Sequence, residues 1–177
     1  MANVQWNLDP THSEIQFKVK HLMITNVTGS FTDYSIKAES DDDTFTNPKV
    51  SFTAKINSIN THNEQRDGHL KSADFFESEK YPELTFLSTK AGNYDGEGHF
   101  DLTGNLTIKG ITREVTFHVE FGGIAKDPWG NSKAGFTITG KINRTDFGLT
   151  WNAALETGGV LVSEDIRLSA EIQLMQA

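Results

Sequence analysis

Residues 99–108 read HFDLTGNLTI. Phe100, Leu102, Gly104, Leu106 and Ile108 fall on one side, and Asp101, Thr103, Asn105 and Thr107 on the other. A period of two over ten residues describes a β-strand with one dry face and one wet face. The same pattern recurs in EIQFKVK (14–20), VSFTAKI (50–56), EVTFHVEF (114–121), KAGFTITGKI (133–142) and DIRLSAEIQL (165–174). Between these runs lie the turn-forming stretches ESDDDTFTNP (39–48), GNYDGEG (92–98), GGIAKDPWGNS (122–132) and ETGGV (156–160). Asp95-Gly96 in the second is a hairpin signal. No long helical period and no internal repeat interrupts the series, so residues 1–177 read as one all-β domain.

A meander of eight to ten antiparallel strands must hide its edges, and closure into a barrel does so. About eight strands leave an interior that side chains can fill or one ligand can occupy. A sandwich is the alternative. Gly29, Gly104 and Gly140, inside strand-like runs, suggest bends or bulges.

Composition narrows function. The chain has 177 residues with 36% apolar and 10% aromatic content, and twelve phenylalanines against three tyrosines and three tryptophans. This is enough for a substantial core. The absence of cysteine excludes disulfides, thiol nucleophiles and cysteine-bound zinc. A net charge of -8 gives no basic footprint for nucleic acid and disfavours durable docking on anionic membranes. The apolar runs are too short to span a bilayer. MANVQWNLDP has neither a basic start nor an apolar run, so it does not read as a signal peptide. A cytoplasmic location is the expectation, or a periplasmic one if the chain is the mature part of a secreted protein.

One stretch breaks the strand pattern: THNEQRDGHLKSADFFESEKYP, 61–82. Thr61-x-x-Glu64 has the form of a capping box and predicts a short helix of one to three turns, ended by Tyr81-Pro82. His62 and His69 would stand about 10.5 Å apart along such a helix, too far to share a metal ion, and no metal site is expected. Asp67 could orient His69, and Glu64 with Asp67 forms a carboxylate pair, but no nucleophile accompanies them, so no catalytic residue is assigned. Arg66 and Asp67 could brace the segment while Phe75 and Phe76 plug a barrel end. Alternatively, Leu70, Phe75 and Phe76 line an apolar entrance rimmed by Arg66, His69 and Lys71, as a cavity for an amphipathic ligand requires. In NRTDFGLTW (143–151), Arg144 and Asp146 could brace the loop, or Arg144 could meet a head group. His99 and His118 alternate to the polar face.

These stretches together resemble the YceI-like family, bacterial proteins described as polyisoprenoid-binding and lipocalin-like. The resemblance rests on five blocks in order: LDPTHSEIQFKVKHLMITNVTGSF, INTHNEQRDGHLKSADFFESEKYPELTFLST, GNLTIKGITREVTFHVEF, KAGFTITGKINRTDFGLTW and VSEDIRLSAEIQL. It implies an extended antiparallel barrel capped at one end by short helical segments. It also implies an apolar tunnel for a polyisoprenoid, an isoprenoid quinone or a fatty-acid derivative, with no catalysis and no cofactor beyond that ligand. A homodimer follows from the resemblance alone. On the inward face, Phe17, Phe31, Phe52, Phe86, Phe100, Phe136 and Phe147 are then the tunnel candidates. Phe75, Phe76, Leu70, Trp151, Arg66 and His69 stand nearer the helical end. An enzyme acting on a hydrophobic substrate in the same cavity, and a ligand-free structural barrel, are the alternatives.

Overall fold

The computed structural model describes residues 4–41, 45–153 and 161–177; the turn expected at ETGGV lies outside them. Eleven strands are described: β1 (Val4–Leu8), β2 (Glu14–His21), β3 (Thr25–Phe31), β4 (Tyr34–Ser40), β5 (Lys49–Lys55), β6 (Ile59–Asn60), β7 (Glu83–Gly92), β8 (His99–Ile108), β9 (Ile111–Lys126), β10 (Ser132–Asn143) and β11 (Val162–Gln176). One helix, α1 (Glu64–Lys71), stands between β6 and β7.

The sheet closes on itself through β1-β4-β5-β7-β8-β9-β10-β11, because β1 pairs with both β4 and β11. Closure rules out the sandwich. The three remaining strands continue their neighbours. β1 and β2 form one long strand broken by a turn at Pro10–His12, β3 runs on into β4, and β5 into β6 across a turn at Ile56–Ser58. Between the β1–β2 and β3–β4 strands pairing is preserved through the break with a two-residue slip: Asn7 faces Lys37 before the first turn, and Gln16 faces Ser30 after it. The molecule is therefore an up-and-down barrel of eight long strands, three of them kinked.

The kink at Pro10–His12 has a clear chemical cause. Asp9 caps the turn, accepting from the Thr11 N–H (3.2 Å) and hydroxyl (2.8 Å), and its other oxygen meets His12 Nδ1 at 2.8 Å. Lys133 Nζ on β10 reaches the same oxygen at 2.5 Å. That ion pair fastens the kink to a strand two places away around the barrel, since β11 stands between β1 and β10.

All six alternating runs put their apolar face inward. Gly29, Gly104 and Gly140 do so for a reason other than bending. A Cβ at each would overlap the ring of Phe17, Phe86 or Phe117 respectively, so each glycine is the seat on which a neighbouring strand's phenylalanine lies. Gly104 also faces a register irregularity in β7 between Ser88 and Lys90.

A long apolar cavity with cationic groups at one end

The inward faces do not fill the barrel. They enclose a cavity of about 400 Å³. Its wall runs from Phe45 and Leu174 at one end to Phe75, Trp151 and Leu161 at the other. Of the residues expected there, Phe17, Phe31, Phe52, Phe86, Phe100 and Phe136 lie on the wall, as do Leu70, Phe75, Phe76, Trp151, Arg66 and His69. Phe147 does not. It falls in the turn Arg144–Phe147, where the chain has left the strand period, and it is packed into the core at 1% exposure. Lys71 is also absent from the wall.

The far end is closed by rings. Phe45 lies 5.1 Å from Trp6, 5.1 Å from Phe121 and 4.8 Å from Phe136, measured between ring centroids. Sequence reading missed Phe45 because it stands in an acidic stretch that reads as a loop. Its backbone is left-handed (φ 57) and its side chain is 1% exposed. The one signal was a lone aromatic residue among polar ones. Phe117, which lies on the wall against Phe86, was also missed as a site residue although its inward face was read.

The near end is built by residues 61–82. The expected capping box does not form. Asn63 is the N-cap of α1, its side chain accepting from Arg66 N–H at 3.0 Å. Thr61 instead becomes a buried node. Its N–H and hydroxyl donate to Asp67 Oδ1 (2.9 and 2.5 Å). Arg66 donates through Nε to the Thr61 hydroxyl (2.8 Å) and through Nη2 to its carbonyl (2.7 Å). After the helix the chain folds back, Phe76 N–H reaching Leu70 O at 2.9 Å, and delivers Phe75 and Phe76 inward. Phe76 meets Phe31 edge-on at 6.4 Å. His69 stands edge-on to Phe75 (5.0 Å) and Trp151 (4.8 Å), with Nε2 2.9 Å from Asp74.

Arg144 lies beneath Trp151. Its guanidinium donates to four backbone carbonyls: Ser163 (2.8 Å), Leu149 (2.6 Å), Trp151 (2.9 Å) and Val162 (3.3 Å). It is 3% exposed, and burial lowers its pKa from the ordinary 12.5. Among the described residues, the polar ones on the wall are Thr61, Arg66, His69, Arg144, His21 and Ser169, with no carboxylate among them. Thr61, Arg66, His69 and Arg144 sit at the near end. Such an arrangement accepts an apolar chain along its length and a hydrogen-bond acceptor at one end.

Among the described residues, no group of three or more His, Asp or Glu side chains could hold a metal ion, and no helix is long and apolar enough to cross a membrane.

Comparison with known proteins places the chain. The YceI-like domain matches residues 6–174. A UPF0312 protein of Staphylococcus aureus (strain MSSA476) is 41% identical over 169 residues, covering 95% of each chain. The crystal structure of a Campylobacter jejuni YceI protein is 39% identical, covers 96% of each chain and superposes with a TM-score of 0.76. A polyisoprenoid-binding domain from Saccharophagus degradans shares the fold at 14% identity, with a TM-score of 0.69 over 97% of this chain and 98% of that one. The chain belongs to the YceI-like family.

Proposed function

We propose that this protein binds, without chemical conversion, one long-chain amphiphile whose head group accepts hydrogen bonds: a polyisoprenoid phosphate, an isoprenoid quinone or a fatty-acid derivative. The observation that carries the reading is the cavity itself, apolar along the barrel and cationic at one end. Membership of the YceI-like family and the name of the Saccharophagus relative support it.

The size of the cavity bounds the ligand. At about 30 Å³ per non-hydrogen atom, water's share of liquid volume, 400 Å³ holds about thirteen atoms. That is between two and three isoprene units. At about 0.8 kcal/mol per methylene, such a tail supplies about 10 kcal/mol before the cost of ordering it. Arg66 and His69 then need only orient the head, with Arg144 adding positive potential from below.

A homologous series of saturated fatty acids tests this. Each added methylene should tighten binding about fourfold, the ratio that 0.8 kcal/mol sets, until the tail reaches about a dozen carbons. Beyond that, affinity should level off, because further carbons stay outside or must displace rings. Affinity independent of chain length would contradict tail binding in the cavity, and no binding at any length would leave the barrel as a ligand-free scaffold.

A further inference from the structure

The hairpin joining β2 to β3 ends in Leu22, Met23 and Ile24, and three features of it are unexplained by the fold. First, these residues are 40%, 55% and 77% exposed and do not pack against the core. Second, Leu22 (φ 53) and Met23 (φ 61) are both left-handed in a turn closed by Ile24 N–H to His21 O at 3.1 Å. Positive φ at both central positions favours Asn and Gly, so large apolar side chains there are strained as well as exposed. Third, residues 15–32 contain no acidic side chain, only Lys18, Lys20 and His21, in a chain with 24 acids and a net charge of -8.

The position of the tip gives these features a common sense. β3 pairs with β6 only at Ser30 and Phe31, so the hairpin from Gly29 back to Thr25 projects past that pairing as a lip. On its other side the tip is tied to the residue before β11, Leu22 N–H donating to Leu161 O at 2.8 Å. The cavity wall climbs this lip through Val19, His21 and Val27, with Leu161 and Val162 alongside. The exposed tip therefore stands at the end of the cavity where the cationic groups lie.

We infer that Leu22, Met23 and Ile24 dip into the interfacial layer of a lipid bilayer, where the cavity exchanges its ligand with the membrane. Three apolar side chains on a turn give shallow, reversible contact. Lys18 and Lys20 on the outward face of β2 meet the lipid phosphates, while the net negative charge of the whole molecule keeps the contact brief. The exchange role rests on the lipid-binding reading; the docking of the tip does not.

The turn geometry supplies the test. The double variant Leu22→Asn, Met23→Gly installs residues the turn favours and removes most of the apolar tip; Ile24→Thr completes it. The full chain and the triple variant are compared by co-sedimentation with phosphatidylcholine vesicles, with and without phosphatidylglycerol, and by transfer of a fluorescent long-chain fatty acid from those vesicles. Thermal midpoint and equilibrium affinity for the probe in vesicle-free buffer should be equal or higher in the variant. Vesicle partition should fall at least tenfold. The transfer rate, rising with vesicle concentration in the parent, should lose that dependence. Equal partition of both proteins, or none by the parent, overturns the inference. So does a variant altered only in sedimentation as a dimer, which would make the tip a contact between copies. If neither protein takes up the probe, the lipid-binding reading fails, and partition still decides whether the tip docks.

Discussion

At Arg144 a positive charge is buried whose hydrogen bonds, among the described residues, go to backbone carbonyls. Replacing it with Met would leave four carbonyls without that donor, each worth about 1–3 kcal/mol when dry. Because such losses are not additive, a destabilisation of about 3 kcal/mol or more is expected, lowering the thermal midpoint by roughly 6–12 °C for a chain of this size. Urea or thermal unfolding checks it, and an unchanged midpoint contradicts the bracing role. Asp9 gives a pH dependence. Its hydrogen bond from Lys133, helped by His12 and Thr11 against the cost of burial, holds its carboxyl well below the ordinary 3.8. The lowered value means that this contribution is complete above about pH 4 and is lost as pH falls towards the folded-state pKa. The midpoint of Asp9→Asn should therefore be lower at neutral pH and fall less steeply than the parent's between about pH 4 and 2. Parallel curves would remove Asp9 from the acid response. Bracing by Arg144 was one of two readings of the sequence, but its carbonyl partners were not legible; for Asp9 the link to Lys133 was hidden because it comes from a distant strand. The seating of Phe17 on Gly29 was equally hidden, because register decides it.

At the scale of elements, the strands were readable because alternation is a local property, and five or more consecutive matches leave little ambiguity. The start of α1 was misread by two residues. Thr61 and Asn63 are both good caps, and choosing between them depends on Thr61 being taken by Asp67 and Arg66. The segment 61–82 is consequently held by a compact polar knot around the buried Thr61 and by the packing of Leu70, Phe75 and Phe76 against the core. Asn63→Ala should cost about 1 kcal/mol. Arg66→Ala should lower stability with or without ligand, because two side-chain hydrogen bonds of Arg66 hold Thr61. Leu70→Ala with Phe76→Ala should instead act on kinetics, raising the release rate of a bound fluorescent fatty acid at least tenfold in stopped-flow. If release is unchanged, residues 61–82 do not gate the cavity.

The whole molecule shows what sequence pattern can and cannot reach. Barrel closure followed from edge avoidance and the inward faces from parity, so six of the seven inward phenylalanines stand on one cavity wall; the six residues expected nearer the helical end stand there too, although parity did not place them. Phe147 failed where parity no longer applies, and Phe45 was missed because a loop delivers it to the core. Whether an interior is full or hollow is a difference between large volumes, and no local pattern reports it. The claim that this barrel is hollow in order to hold an amphiphile is tested most directly by native mass spectrometry of the freshly purified protein, followed by solvent extraction of the same sample. An adduct of one long-chain isoprenoid or acyl lipid per chain, recovered in the extract, is expected. A bare mass with a clean extract, from a protein that also fails to take up quinones and fatty acids in titration, would contradict it.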